Sequence, residues 1–183
     1  TISGAGASNV IGGALNLTSA EATADKHIVV DVAGGLEVTG VTTLTANTGS
    51  SASNATLIVD KAAVFTGGVV LNDNTGLAIL ELEQNNAVTI SGDITAAANN
   101  EGTIQMTGTG KTLSGDIGTS SVKLKEVQVD AASGNLTGTV YTTLLDVNAA
   151  VTLTGAVTVG TATIDAATLV NGTLTGTTVT MGA

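Results

Sequence analysis

Apolar and polar residues alternate over most of this chain, and the alternation changes phase every few positions. In 150–165, Val151, Leu153, Gly155, Val157 and Val159 share one parity, while Thr152, Thr154 and Thr158 hold the other. A period of two predicts a strand with one buried face. At Gly160-Thr161 the phase shifts, and Ala162 and Ile164 take over. A glycine at a phase shift marks a bend. The stretch reads as two short strands joined by a corner.

The same form recurs. Leu36, Val38 and Gly40 keep one parity, as do Val88, Ile90, Gly92 and Ile94. Shorter versions run from Leu113 to Ile117 and from Leu136 to Val140. In each, a Ser or Thr precedes a Gly on the inward parity, as a narrow place inside a coil requires. The glycines at 40, 67, 92, 115, 138, 155 and 176 are 27, 25, 23, 23, 17 and 21 residues apart. A second marker precedes several of them: Lys61-Ala-Ala, Asn86-Ala, Asp130-Ala-Ala, Asn148-Ala-Ala and Asp165-Ala-Ala. Asn and Asp favour turns because their side chains bond nearby backbone.

An irregular repeat of short strands and turns predicts an all-β fold, a β-solenoid or parallel β-helix. At about 22 residues per coil the 183 residues make roughly eight coils, a rod near 40 Å long. The whole chain, 1–183, reads as one domain. Its least regular part, 1–35, is a candidate cap, with Ala20–Lys26 as a loop or a helical turn. The alternative fold is a β-sandwich, which also uses many short alternating strands.

Composition agrees with this and removes several functions. There is no Pro, which would delete a ladder donor. The only aromatics are Phe65 and Tyr141, so Val, Ile, Leu, Ala and Thr must fill the interior. Thr is roughly one residue in six, and its branched Cβ suits a pleated surface. Five Lys, no Arg and fifteen acids give a net charge of −10. A polyanion binder needs clustered cations, so neither nucleic acid nor anionic lipid is an expected partner. No apolar run approaches the roughly 18 residues of a membrane span. The sequence opens on Thr rather than Met and shows no secretory signal, as a processed protein or a fragment would.

Candidate chemistry is sparse. Ser91-Gly-Asp93-Ile94 and Ser114-Gly-Asp116-Ile117 place two aspartates 23 residues apart, about one coil. Both face outward in this reading, about 4.8 Å from each other. Such a pair can share a calcium ion or serve a retaining glycosidase. A solvated turn explains them as well, and no Arg, His or aromatic stands near to hold a sugar. Asp93 and Asp116 are therefore the metal candidates, calcium is the one cofactor the sequence offers, and no catalytic residue is assigned. Asn72-Asp73-Asn74 reads as a turn, because it lacks the spacing of calcium loops. The single His27 reads as a surface or capping residue, and the absence of Cys removes zinc and disulfide chemistry. Asn16, Asn54, Asn135 and Asn171 match the N-glycosylation pattern. Lys123 and Lys125 point outward and blunt unwanted edge pairing. Thr152, Thr154, Thr175 and Thr177 raise an outward threonine ladder of the ice-binding kind, which coils of unequal length would misalign.

The phrases "VTISGDI", "TLSGDIGTSSVKLKEVQVDAA", "NLTGTVY" and "VTLTGAV" resemble the passenger regions of bacterial surface autotransporters, especially the large rickettsial outer-membrane surface antigens. The likeness covers about residues 60–180. It implies a secreted, β-helical cell-surface protein with an adhesive or coat-forming role. Surface-layer proteins and extracellular filament subunits share the same Thr- and Ala-rich style. The expectation is thus a non-enzymatic structural protein of the cell surface, a filament or surface-layer subunit. It would join copies through unpaired strand edges such as that of the terminal TVTMGA. The alternative is an adhesin that binds a host or surface ligand.

Overall fold

The computed structural model of the protein describes residues 2–4, 9–19, 26–32, 35–47, 53–132 and 134–182, with 2–4, 26–28 and 30–32 described by backbone alone. The Ala20–Lys26 segment, read above as a loop or helical turn, lies outside the described residues except for Lys26.

The chain winds as a parallel β-solenoid with three faces. Its first coil holds β1 (Ile2–Gly4), β2 (Asn9–Ile11) and β3 (Leu15–Thr18). The second holds β4 (Lys26–Val32), β5 (Leu36–Val38) and β6 (Thr42–Thr45). The third holds β7 (Ala55–Val59), β8 (Ala63–Phe65) and β9 (Val69–Asn72), and the fourth β10 (Ala78–Leu82), β11 (Val88–Ile90) and β12 (Ile94–Ala96). Then follow β13 (Glu101–Met106), β14 (Lys111–Leu113), β15 (Leu124–Val129) and β16 (Gly134–Leu136). From here single strands cover two faces: β17 (Val140–Val147), β19 (Val157–Ile164) and β21 (Leu174–Met181), separated by β18 (Val151–Leu153) and β20 (Thr168–Val170).

Nine strands stack as the first sheet, eight as the second and four as the third. The third continues through bridges Ile94–Ile117–Val140 into the front half of β17. The named pairs are parallel in all three sheets. A β-sandwich needs antiparallel pairs, so that alternative is excluded. Eight steps of about 4.8 Å make the first sheet about 38 Å deep.

Inward residues form axial columns. Leu57, Leu80, Ile104, Val127, Leu145 and Ala162 stack in register and are all buried. Val38, Phe65, Ile90, Leu113, Leu136 and Leu153 form a second column. Each coil alone would leave its column half exposed, so the coils are stable only as a pile.

Coil length, taken from strand register, runs 27, 27, 25, 23, 23, 17 and 17 residues. One corner does not change, and the corner between the first and second faces varies only from three residues after β7 to five after β10. Between the second and third faces there are always three residues, such as Thr66-Gly67-Gly68, Ser91-Gly92-Asp93 and Thr137-Gly138-Thr139. Most of the variation sits at the corner between the third and first faces. It spans 46–54 and 73–77 in early coils and shrinks to the phase shift at Thr143 in β17 and at Gly160-Thr161 in β19. Unequal coils therefore stay in register, because the extra residues leave the ladder at one edge.

The glycine ladder follows the same steps and corrects two expectations. Its last rung is Gly172, which stacks on Gly155; Gly176 lies inside β21 beside Val159 and Val179. The reason for glycine also differs. A Cβ at Gly115, Gly138, Gly155 or Gly172 would press against the carbonyl of the corner glycine one coil before. The crowding is axial, between coils, and not within the narrow interior of one coil.

Candidate functional site

Asp93 and Asp116 follow the corner glycines and are both exposed. Ile94 and Ile117 beside them are buried, so the outward placement of both acids holds. Each carboxylate has a structural partner. Asp93 Oδ1 accepts the N–H of Asp116 at 2.9 Å, and Asp116 Oδ1 accepts the N–H of Thr139 at 2.7 Å. The pair pegs successive coils together where the corner backbone would otherwise leave a donor to solvent. Among the described residues no group of three or more His, Asp or Glu is placed to hold a metal ion.

The other marked residues also serve backbone. Asp73 is buried, and its Oδ1 accepts the Ala78 N–H at 2.6 Å. Asn74 Nδ2 donates to Ala46 O at 2.8 Å. Asn54 Oδ1 accepts the Leu77 N–H at 2.8 Å. Asn16 and Asn171 are exposed, and Asn135 is half-buried on the outer side of β16. His27 lies in β4, with its side chain outside the described residues. Lys123 and Lys125 flank buried Leu124 and are half-buried. Thr152 and Thr154 sit on β18 and its corner, whereas Thr175 and Thr177 sit on β21. These four do not make one ladder. Register instead pairs Thr158 with Thr175, Thr161 with Thr178 and Thr163 with Thr180.

The sequence reading missed Lys111. It shares parity with buried Leu113 and is itself 0% exposed. Its ammonium enters the preceding coil's turn and donates to three carbonyls: Glu83 O at 2.9 Å, Gln84 O at 2.7 Å and Asn86 O at 2.7 Å. Gln84 is held at positive φ, 56°, which helps aim the turn's carbonyls inward. Thr109 completes the clasp, giving its N–H and hydroxyl to Asn85 Oδ1 at 3.1 Å each. Burial pushes the Lys111 pKa below its ordinary value, and the Asp60 charge opposes this.

Two shallow grooves of about 320 and 380 Å³ run beside the second sheet. Small residues open that corner in most coils: Gly35, Ala62, Ala87, Gly110, Ala150 and Ala167. The larger groove is lined by Gly134, Val151, Thr152 and Leu169, the other by Asn9, Glu37, Val64 and Thr89, among others, with no cation or aromatic in either.

The most apolar exposed surface among the described residues lies on β20 and β21. In register with the buried columns, Val170 is 36%, Val179 42% and Met181 64% exposed. β20 and β21 are the outermost strands of their sheets. Every Asp, Glu and Lys in the chain falls between Glu21 and Asp165. The coil after Asp165 and the stretch before Glu21 carry no charged side chain.

Compared with protein-family models, characterised proteins and solved structures, the chain matches none. Its class is that of the parallel β-solenoids, on the topology above.

Proposed function

We propose that this protein is a structural, non-enzymatic subunit of a cell exterior that lengthens by stacking coil on coil. The observation that carries the reading is that Asp93, Asp116 and Lys111, the polar side chains with the most chemistry to offer, are spent on bonding one coil to the next. Edge strands of folded proteins are ordinarily blunted by charge, Pro or a covering element; β21 has none of these among the described residues. Its inward Val179 and Met181 are half out of the core, and covering a Val, Leu or Met side chain fully is worth about 1.5–3 kcal/mol. The charge is confined to the flanks, where a net −10 opposes side-by-side bundling. The two candidate carboxylates, each spending an oxygen on backbone, support a scaffold over a catalyst. A secreted or surface location, in a filament or surface layer, fits both this architecture and the resemblance to autotransporter passengers.

Sedimentation velocity across a dilution series tests the proposal. Association should grow with concentration and weaken strongly in Val179→Lys, which places a charge on the open column. A chain that stays monomeric at high concentration, or saturable glycan binding by the isolated monomer, would replace this reading with the adhesin.

A further inference from the structure

We infer that the outer face of the second sheet is an ice-binding surface. The inference stands on the side chains that four coils bring together there, and it does not depend on how copies associate.

Register assembles the array. In the second sheet Thr89 pairs with Thr112, Thr112 with Asn135 and Asn135 with Thr152. Each is the middle residue of a three-residue strand whose two flanking residues are buried. Two positions further on, at the start of the constant corner, stand Ser91, Ser114, Thr137 and Thr154, all exposed. Their N–H groups still donate to the coil before: Ser91 to Phe65 O at 3.0 Å, Ser114 to Ile90 O at 2.8 Å, Thr137 to Leu113 O at 2.9 Å and Thr154 to Leu136 O at 2.8 Å. Ladder-bonded backbone therefore carries both columns. Successive coils present Thr-x-Ser, Thr-x-Ser, Asn-x-Thr and Thr-x-Thr outward. Their register steps of 23, 23 and 17 residues are unequal, yet the extra residues leave at a different corner. The misalignment that unequal coils predict does not occur on this face.

The array has the properties that a crystalline water surface selects. Side chains repeat about every 4.8 Å within a column, and the two columns lie about 6.6 Å apart, two strand residues. Both repeats are close to those of the oxygens on a prism face of hexagonal ice. Thr is stiff at χ1, so its hydroxyl and methyl hold their places before contact. Liquid water satisfies a hydroxyl about as well as any fixed partner. Only a rigid array that meets many lattice positions at once gains from ice. Among the described residues, none of the seven hydroxyls nor the Asn135 amide bonds to protein. At the same corner of earlier coils, Thr39 and Thr66 instead lean back on Ile11 O and Val38 O at 3.4 Å each.

No charge interrupts the array. Such a charge would keep its own hydration shell against the lattice. Asp93 and Asp116, beyond the corner, turn a carboxylate oxygen to the next coil's backbone. On the other side Ala87, Gly110 and Ala150 border the threonines with little or no side chain.

Partition of the purified chain into a slowly grown ice front, with thermal hysteresis measured alongside, tests the inference. Wild type should enter the ice and depress freezing below melting, whereas a non-binding protein of similar charge is excluded. Thr112→Lys sets an ammonium in the middle of the array and should return the chain to the excluded level with its melting temperature unchanged. Thr161→Lys, on an exposed position of the first sheet, should partition as wild type. Thr154→Lys, at an exposed corner, gives the same reading where Thr112→Lys lowers the melting temperature. Exclusion of the wild type from ice, or wild-type partition by both array variants, would overturn the inference. Sedimentation with insoluble chitin or cellulose, lost in Thr112→Lys and paired with exclusion from ice, would give the face to a crystalline glycan instead. Association of copies is read separately by sedimentation velocity, so this inference and end-stacking can each fail alone.

Discussion

Gly138→Ala is the sharpest test of axial stacking, since it adds one methyl group and no polarity. Its Cβ would fall 2.6 Å from the Gly115 carbonyl carbon and 3.0 Å from Asp116 N. Ordinary carbon contacts begin near about 3.5 Å. The neighbouring atoms are backbone and cannot rotate away, so the two coils must part locally by on the order of 1 Å. The ladder bonds on either side are Thr137 N to Leu113 O at 2.9 Å and Ile117 N to Thr139 O at 2.8 Å. Weakening both costs about 1 kcal/mol each, and overpacking adds about 1–3 kcal/mol. The expected loss is about 3–5 kcal/mol, or a fall in Tm of roughly 6–20 °C for a chain of this size. Gly12→Ala is the matched control. Nothing lies within 4 Å of its Cβ position and its φ is ordinary, so its Tm should stay within about 2 °C of wild type. Differential scanning calorimetry measures both. Equal melting of the two variants would refute the claim that corner glycines exist for the neighbouring coil.

Three further outcomes follow from the intercoil contacts. Lys111→Met keeps the bulk of the side chain but strands three carbonyls, and should lower stability by about 2–4 kcal/mol in urea melts; a neutral effect would show that the charge costs as much as its bonds return. Burial lowers the Lys111 pKa in the folded chain below its ordinary value near 10.5. The unfolded chain then binds the proton more tightly, so this site's contribution to stability rises with pH from the lowered value up to about 10.5 and then levels off. The difference between wild type and Lys111→Met measures it, and a decline over that window would show instead that the carbonyls hold the proton. Asp116→Asn retains an oxygen for the Thr139 N–H and should melt close to wild type, whereas Asp116→Ala should lose about 1 kcal/mol. A calcium-dependent rise in Tm seen in wild type but absent in Asp116→Asn would assign a cation to the aspartate pair.

Much of this architecture is written in the sequence, because a solenoid repeats its physics every coil. The Ser/Thr-Gly pairs at Gly40, Gly67, Gly92, Gly115, Gly138 and Gly155 mark one real corner, and their uneven spacing is the real coil length. The last rung was misread because Asn171 replaces the usual hydroxyl, while Thr175-Gly176 offers the familiar pair four residues later. Gly13, whose carbonyl a Cβ at Gly40 would meet, is a further rung, hidden in the sequence because Gly12 stands where the usual hydroxyl residue would. The phase shift at Gly160-Thr161 was legible, since side-chain parity alone reveals it. Lys111 was not, because a binary pattern counts any lysine as outward. The signal was its parity with Leu113, but the three carbonyls that make an inward ammonium tolerable belong to a turn 25–28 residues earlier. The aspartate pair was legible as outward neighbours. Its bonds to the next coil's N–H groups depend on the axial offset of stacked corners, which spacing does not encode.

Electron cryomicroscopy of the purified chain at high concentration tests the central claim most directly. The account predicts thin rods with strands perpendicular to the long axis and layers about 4.8 Å apart. Paired antiparallel layers, or strands running along the axis, would contradict it.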